Sequence, residues 1–441
     1  MPTHEKHDTH HKALSINLDR TIFGSFAEIG AGQEVARWFL RVGGASGTVA
    51  KTISAYDKEV SDNLYGVGTR YVSKSRLQAM LAREWELLLE QLQASRGADT
   101  KFFSFVDTIS ARNYAGTNDC HGWVGLRFLR EPGEAPHDVI LHVNLRDPTN
   151  LRQQEAVGIL GVNLLYAAHN ALGSAGEFLA SVFEDLGLDR LEIDCLEWSG
   201  PAFRDWDRDE VLTLLVAGGY AEAVVFPAAD QLVPPNELLY KQALVLAPDS
   251  FGSLGQQHAH LIEDTLTQLP AEELAESKGG LGLFCLSIAA ASPPGQAVPI
   301  KKIVEQRRTL RGWGFGVMLF RAQELYAMSA YANRYTKSRI HFAIGLTVLV
   351  SVMEDRYNDL PGTLLEGIAR LFTQNVRLIV YPMAAEEVRR RADEAGLAGW
   401  KWKETDGVVR AENLTPSAPL DSLYHYLLSS GFILPGTASK R

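Results

Sequence analysis

The chain reads as an α/β protein with a mainly parallel sheet and flanking helices, a nucleotidyltransferase-like or Rossmann-like layout, and three stretches carry that reading. The first is Ala243 to Leu266, ALVLAPDSFGSLGQQHAHLIEDTL, where a continuous apolar run passes through a Gly/Ser loop into an amphipathic helix. The second is 175–226, where helical and strand patterns alternate: a helix over 175–186, a strand over 190–196, a helix over 208–217 and a strand over 223–226. The third is 101–145, whose strands at 122–129 and 139–145 flank the turn-rich link Arg130-Glu-Pro-Gly-Glu-Ala-Pro136 and predict an inserted β-hairpin.

The bulk properties set outer limits. With 441 residues the chain exceeds one ordinary core. Hydrophobic residues make up 46% and charged residues 22%, as in globular proteins, and the net charge of −10 argues against general nucleic-acid binding. Cys120, Cys195 and Cys285 are far apart, so neither a zinc module nor a disulfide framework is indicated, and a cytoplasmic location is expected. The leader MPTHEKHDTHHKALS lacks an apolar core, and no membrane span is expected. His4, His7, His10 and His11 could capture a divalent metal, although a flexible polar tail explains them without one.

Taken in order, the expected regions are a His-rich flexible tail over 1–19 and a helical, Gly-rich region over 20–98. An α/β region with the hairpin spans 99–226, a second α/β region with the candidate ligand loop spans 227–383, and a C-terminal helix and arm spans 384–441. Gly30-Ala31-Gly32 opens a helix at Gln33, but Val35 stands where G-x-G-x-x-G needs its third glycine. Gly44-Ala-Ser-Gly47 precedes Lys51-Thr52 with Ala50 in place of the phosphate-loop glycine, leaving Lys51 and Thr52 as candidate anion contacts. Residues 75–93 have helical spacing, and Asp147-Pro148-Thr149-Asn150 starts a long apolar helix over 151–172. Asp107 and Asp147 fall toward strand ends, where turn-forming and ligand-binding acids both occur, and Asp194 and Glu197 could sit near a metal. Beyond the central stretch come a strand over 281–289, a basic helix over 300–310, a strand over 317–320, an apolar strand region over 341–352, a helix over 364–372 and a strand over 376–381.

In the central stretch the loop residues Ser250, Gly252 and Ser253 lead to His258 and His260 at the start of the helix, where backbone N–H groups and the positive dipole end suit a phosphate. Arg307, Arg308 and Arg311, with Lys301 and Lys302, could neutralise phosphate charge, although a solvated helix face explains the same residues.

The passages FGSFAEIGAGQEVARWF, FSFVDTISARNYAGTNDCHGW and Arg334-Tyr-Thr-Lys337 resemble a family of bacterial proteins of about this length. Its members go under the names nicotinate-nucleotide adenylyltransferase and TonB-dependent receptor. The resemblance spans 21–383, and its first name implies adenylyl transfer from ATP with Mg²⁺, His260 and His258 holding the triphosphate and Arg307, Arg308 or Arg311 balancing charge. The G-x-F-x-P-x-H-x-G-H pattern of such enzymes is degenerate here: Asp249 replaces its glycine, Gln257 its first histidine and Ala259 the later glycine. The competing expectation is a non-catalytic scaffold or regulatory protein that assembles into homo-oligomers.

Overall fold

The computed structural model describes residues 7–68, 70–229, 232–248, 257–292, 295–354, 360–373, 375–391 and 399–437. The chain divides into two compact units, Met1–Val224 and Val225–Arg441, and both are α/β.

The first unit is built on a six-stranded sheet of β1 (Ile22–Gly30), β2 (Val49–Ile53), β3 (Lys101–Ser110), β4 (His121–Phe128), β5 (His137–Leu145) and β6 (Leu191–Ser199), in the order β2-β1-β3-β4-β5-β6. β1 pairs parallel with both β2 and β3, and from β3 onward the pairing is antiparallel. The expected hairpin is therefore β4–β5, but it is not an insertion: each strand has a second partner in the same sheet, so both are interior strands. Eight of the nine residues of β1 are buried, which is what a strand covered on both faces requires.

Helices α1 (Thr9–Leu18), α2 (Glu34–Val42), α3 (Lys58–Tyr65), α4 (Lys74–Arg96), α5 (Asn150–Asn170), α6 (Ala175–Val182) and α7 (Arg208–Ala217) surround this sheet. Pleat alternation puts Phe105 and Asp107 on one face of β3 and Val106 on the other. A Cβ added at Gly161 of α5 would lie 2.3 Å from Val35 of α2 and 3.0 Å from the Phe105 ring, so α2 and α5 cover the Phe105 face and approach closely because position 161 has no side chain. Leu77 of α4 packs over Gly125, opposite Val106, and covers the other face.

The expectation of a flexible tail over 1–19 is corrected for its second half. α1 is a helix, started by Asp8, whose side chain accepts from the His11 N–H at 2.7 Å. Its buried face includes a charged residue, Lys12, which the apolar pattern does not reveal. The Lys12 ammonium donates to Asn163 at 2.9 Å and to the Ser181 carbonyl at 2.8 Å and pairs with Glu184 at 2.5 Å.

The second unit carries a seven-stranded sheet of β7 (Ala223–Phe226), whose first two residues fall before the unit boundary, β8 (Ala243–Pro248), β9 (Gly280–Ser287), β10 (Gly316–Phe320), β11 (Ile340–Gly345), β12 (Val376–Tyr381) and the short strand Ile433–Pro435. From the C-terminal strand the order is β12, β11, β8, β9, β10 and β7, with parallel pairing from Ile433–Pro435 through β10. Counted from β8 this is the doubly wound order 3-2-1-4-5: the chain builds β9 and β10 on one side of β8, then crosses to build β11 and β12 on the other. Between these strands lie α8 (Pro235–Leu238), α9 (Gln257–Gln268), α10 (Ala271–Ala275), α11 (Ile288–Ala291), α12 (Ile300–Gly312), α13 (Leu325–Ala332), α14 (Leu346–Met353) and α15 (Thr363–Leu371). The apolar run over 341–352, read as one strand region, is β11 followed directly by α14. Periodicity cannot separate a buried strand from a buried helix in so apolar a run.

Among the described residues, no helix is long and apolar enough to cross a membrane. Replacing Lys12 by alanine leaves Glu184 and Asn163 without their buried partner and is expected to cost about 3–5 kcal/mol. Denaturant midpoints of the two proteins measure this, and equal midpoints would show that the Lys12 contacts contribute nothing to the first unit.

Candidate functional site

In open α/β sheets ligands bind outside the carboxyl ends of the strands, where successive connections leave in opposite directions. In the first unit that point lies between β1 and β3, because the chain goes from β1 to β2 on one side and returns to β3 on the other. A cleft of about 500 Å³ opens there. Its wall is formed by Gly30 at the end of β1, Ala31 and Gln33 after it and Glu34 at the start of α2, by 109–113 at the end of β3, and by Asn150 and Gln154 in the first turns of α5, with Tyr56 also lining it.

Hydrogen bonds hold this wall in place. The Arg112 N–H donates to the Gln153 side chain at 2.7 Å, the Asn150 amide donates to the Arg112 carbonyl at 2.9 Å, and the Gln33 amide donates to Ser54 at 2.8 Å. Gln153 also donates to the Asp147 carbonyl at 2.8 Å, while the Asp147 carboxylate receives Arg190 at 2.9 Å. Asp147, expected as a strand-end ligand contact, thus joins the frame behind the cleft. The Arg112 side chain is exposed at the cleft wall.

Beneath the loop after β1 lie two buried carboxyl groups. Glu28 and Asp107 are direct partners across the parallel β1–β3 pair, and both are almost wholly excluded from solvent. Glu28 accepts from the N–H groups of Val35 at 2.9 Å and Ala36 at 3.1 Å, closing the N-terminus of α2 from below. Neither Asp107 carboxyl oxygen makes a well-formed hydrogen bond, and the Ile29 backbone N–H offers only a weak one. Both oxygens press against the loop: a Cβ at Gly32 would stand 2.0 Å from one and 2.3 Å from the other. Burial pushes the Glu28 carboxyl up to about 8, against the pull of the two amides. Burial first, and then the charge of Glu28, hold Asp107 well above the ordinary carboxylate range. Two such neighbours cannot both ionise cheaply, so the pair holds at least one proton near neutrality.

The other residues singled out from the sequence lie elsewhere. Ser250, Gly252 and Ser253 fall outside the described residues, as does the side chain of His258. The elements on either side are described: β8 is the strand at which the second sheet reverses direction, and α9 starts at Gln257. Ser250-Phe-Gly252-Ser-Leu-Gly255 also keeps the second and third glycines of G-x-G-x-x-G, a signal the histidine pattern obscured. At the end of β9, where dinucleotide folds place a ribose-binding acid, stands Ser287, which receives the Ala290 N–H at 3.1 Å. His260 is half exposed, 3.5 Å from Glu263 one turn along α9. Arg307 is buried, its guanidinium 4.8 Å from the centre of the Phe226 ring, while Arg308 is exposed and Arg311 half-buried.

Lys51 pairs with the buried Glu84 at 2.5 Å, and Glu84 also receives the Tyr65 hydroxyl at 2.9 Å. Thr52, the next residue of β2, is exposed. Neither lines the cleft. Asp194 and Glu197 are not a metal pair: Asp194 bonds His142 and Asn144, whereas Glu197 pairs with Lys74. Among the described residues no group of three or more His, Cys, Asp or Glu side chains is placed to hold a metal ion.

No protein-family model and no curated protein matches the chain. Among solved structures, the competence/damage-inducible protein CihA from Agrobacterium tumefaciens aligns with a TM-score of 0.27 and 19% identity, over 37% of this chain and 98% of that one. A competence or damage-inducible protein from Enterobacter asburiae gives 0.28 and 14% over 37% and 99%. A competence-damaged protein (CinA) superfamily protein from Escherichia coli gives 0.24 and 16% over 42% and 95%. Likenesses this distant carry no argument about site or ligand.

The carboxyl pair has a pH signature. A carboxyl whose folded-state value is raised binds more protons folded than unfolded, so its favourable contribution is complete below its unfolded value of 4.5 and is lost as pH rises toward 8. The buried histidines act oppositely but only below their ordinary value of 6.5, because His121, His169 and His341 are each pushed down to about 4. Glu192, pushed up to about 7 by burial, loses its proton in the same window. Stability in urea between pH 6.5 and 8 should therefore fall with pH, by at most about 1.4 kcal/mol per unit for each proton released. Asp107→Asn should reduce the slope, leaving the share of Glu192. Equal slopes in the two proteins would contradict a shared buried proton.

Proposed function

We propose that the chain binds a nucleotide-type ligand, a nucleoside carrying phosphate, in the cleft between β1 and β3. The observation that carries this reading is the placement of Arg112 and the first turn of α5 on one cleft at a topological switch point. The two helix N-termini at the cleft differ in kind. That of α2 is occupied by the Glu28 carboxyl and bears Glu34 in its first turn, so it repels an anion. That of α5 has no acidic residue in its first turn, and the amides of Asn150 and Leu151 precede its first intrahelical bonds. Phosphate belongs at α5, between these amides and the Arg112 guanidinium. Gln33, Asn113 and Gln154 offer amide donors and acceptors to sugar hydroxyls or a base edge, and Tyr56, 77% exposed, offers an aromatic face for stacking.

A second reading is adenylyl transfer from ATP with Mg²⁺ in the second unit, with His258 and His260 on the triphosphate and Arg308 or Arg311 balancing charge. The place of β8 at that unit's switch point favours it. A third, assembly without catalysis, draws on the exposed Val67, Tyr114 and Leu151.

Calorimetric titration with AMP, and with ATP with and without Mg²⁺, separates the three. The leading reading expects saturable AMP binding that Arg112→Ala weakens at least tenfold, as loss of a charged hydrogen-bond donor should, and that His258→Ala with His260→Ala leaves unchanged. Binding of ATP alone, abolished by the histidine pair and indifferent to Arg112, would move the site to the second unit. No binding of either nucleotide, with a mass that rises with concentration, would favour assembly.

A further inference from the structure

One wall of the cleft rests on two facing carboxyl groups whose electrostatic neighbours are acidic. Glu28 and Asp107 are 2% and 0% exposed, and among the described residues the charges that act on them are each other and Glu34. Glu34, in the first turn of α2, is engaged with Arg37 at 2.9 Å. On the strands to either side, β2 ends at Ile53, opposite Ala27, and β4 sets the apolar Val124 opposite Asp107. From above, α5 brings Gly158 against Glu34 and Gly161 against Val35. In such surroundings burial penalises each charge and the other carboxyl repels it, so the pair keeps protons that ordinary carboxyls give up.

The pair supports the loop and the helix above it. Gln33, at the N-terminal end of α2, makes no side-chain cap, and the amides of Val35 and Ala36 donate down to Glu28 instead, at 2.9 and 3.1 Å. Gly32 lies directly on the Asp107 carboxyl. Beyond the β1 ladder, the loop is tied by the Ala31 N–H to the Ile109 carbonyl at 3.3 Å and by the Gln33 amide to Ser54 at 2.8 Å. Gly30, Ala31, Gln33 and Glu34 also line the cleft. A movement that brings either carboxyl to solvent therefore lifts this wall.

We propose that Glu28 and Asp107 act as a proton-operated latch on the cleft: with their protons they hold residues 30–34 and the start of α2 down, and on giving them up they let this wall lift. Lifting lets water reach both groups and returns them toward their ordinary values. Glu28, pushed up to about 8 by burial in the closed wall, falls back toward 4.5, and Asp107, held well above its ordinary range, falls back likewise. Protons leave as the wall lifts, so the lifted fraction grows with pH, by about tenfold per unit for each proton released, from above 4.5 toward 8. The two amides oppose this, since a charged Glu28 binds them more strongly, but burial outweighs them. The consequence for a ligand rests on the reading of this cleft as the nucleotide site: a ligand seated against Gln33 needs the wall down and so opposes its lifting.

Hydrogen–deuterium exchange of the full chain without nucleotide, resolved at single amides and corrected for the intrinsic rate, tests the latch between pH 6 and 8. The amides of Val35 and Ala36 are expected to exchange ahead of the β3 amides over 103–106, and their protection to fall at least about tenfold per pH unit. Asp107→Asn should reduce that factor, and Asp107→Asn with Glu28→Gln should remove it. Should the double variant fail to fold, the single Asp107→Asn chain and the pH series of the unaltered chain decide. Protection that does not change with pH, exchange at Val35 and Ala36 no faster than in β3, or an unchanged slope in a folded Asp107→Asn chain would overturn the latch. Saturating AMP should raise protection at the same two amides. A pH slope that stands while AMP leaves them unchanged would keep the latch and remove the nucleotide reading, and AMP protection without a slope would overturn the latch alone.

Discussion

The burial of two facing carboxyl groups is the constraint on which the first unit turns. Glu28 sits under α2 and takes its first free amides, while Asp107 occupies the space directly under the loop after β1. A side chain at position 32 would collide with Asp107, so the loop must carry glycine there, and the helix that follows is held at its start by Glu28. The cleft exists because the loop is fixed at this height above the strand ends. A buried carboxyl without a well-formed hydrogen bond is a costly feature.

The carboxyl pair also bears on the proposed ligand. Because α2 is already closed by a carboxyl from beneath, its dipole offers little to an anion, and the proposed reading therefore puts phosphate at the start of α5 beside Arg112.

Much of the architecture was legible from the chain. The apolar run, loop and helix around Ala243–Leu266 are β8 and α9, and the long helix after Thr149 is α5, because strand runs bounded by turn residues and capped amphipathic helices leave local signatures. The sites were less so. Asp107 stood out as a strand-end acid, but its partner Glu28 is 79 residues away and becomes a neighbour only through the register of β1 and β3. His142 and Asp194 meet only across β5 and β6, a contact between residues 52 positions apart that has no sequence signature. Gly30-Ala-Gly32 failed as a dinucleotide loop for want of a third glycine, yet its second glycine is required by the carboxyl beneath it. Lys12 hid α1, because a charged residue on a buried face breaks the pattern by which such helices are recognised.

The central claim is that the cleft between β1 and β3 is where the chain meets its ligand. Hydrogen–deuterium exchange of the full chain, with and without saturating AMP, tests it most directly. The account expects slowed exchange in peptides that cover 28–36, 108–113 and 150–154 and unchanged exchange across 243–266. Protection confined to 243–266, or none anywhere, would contradict it.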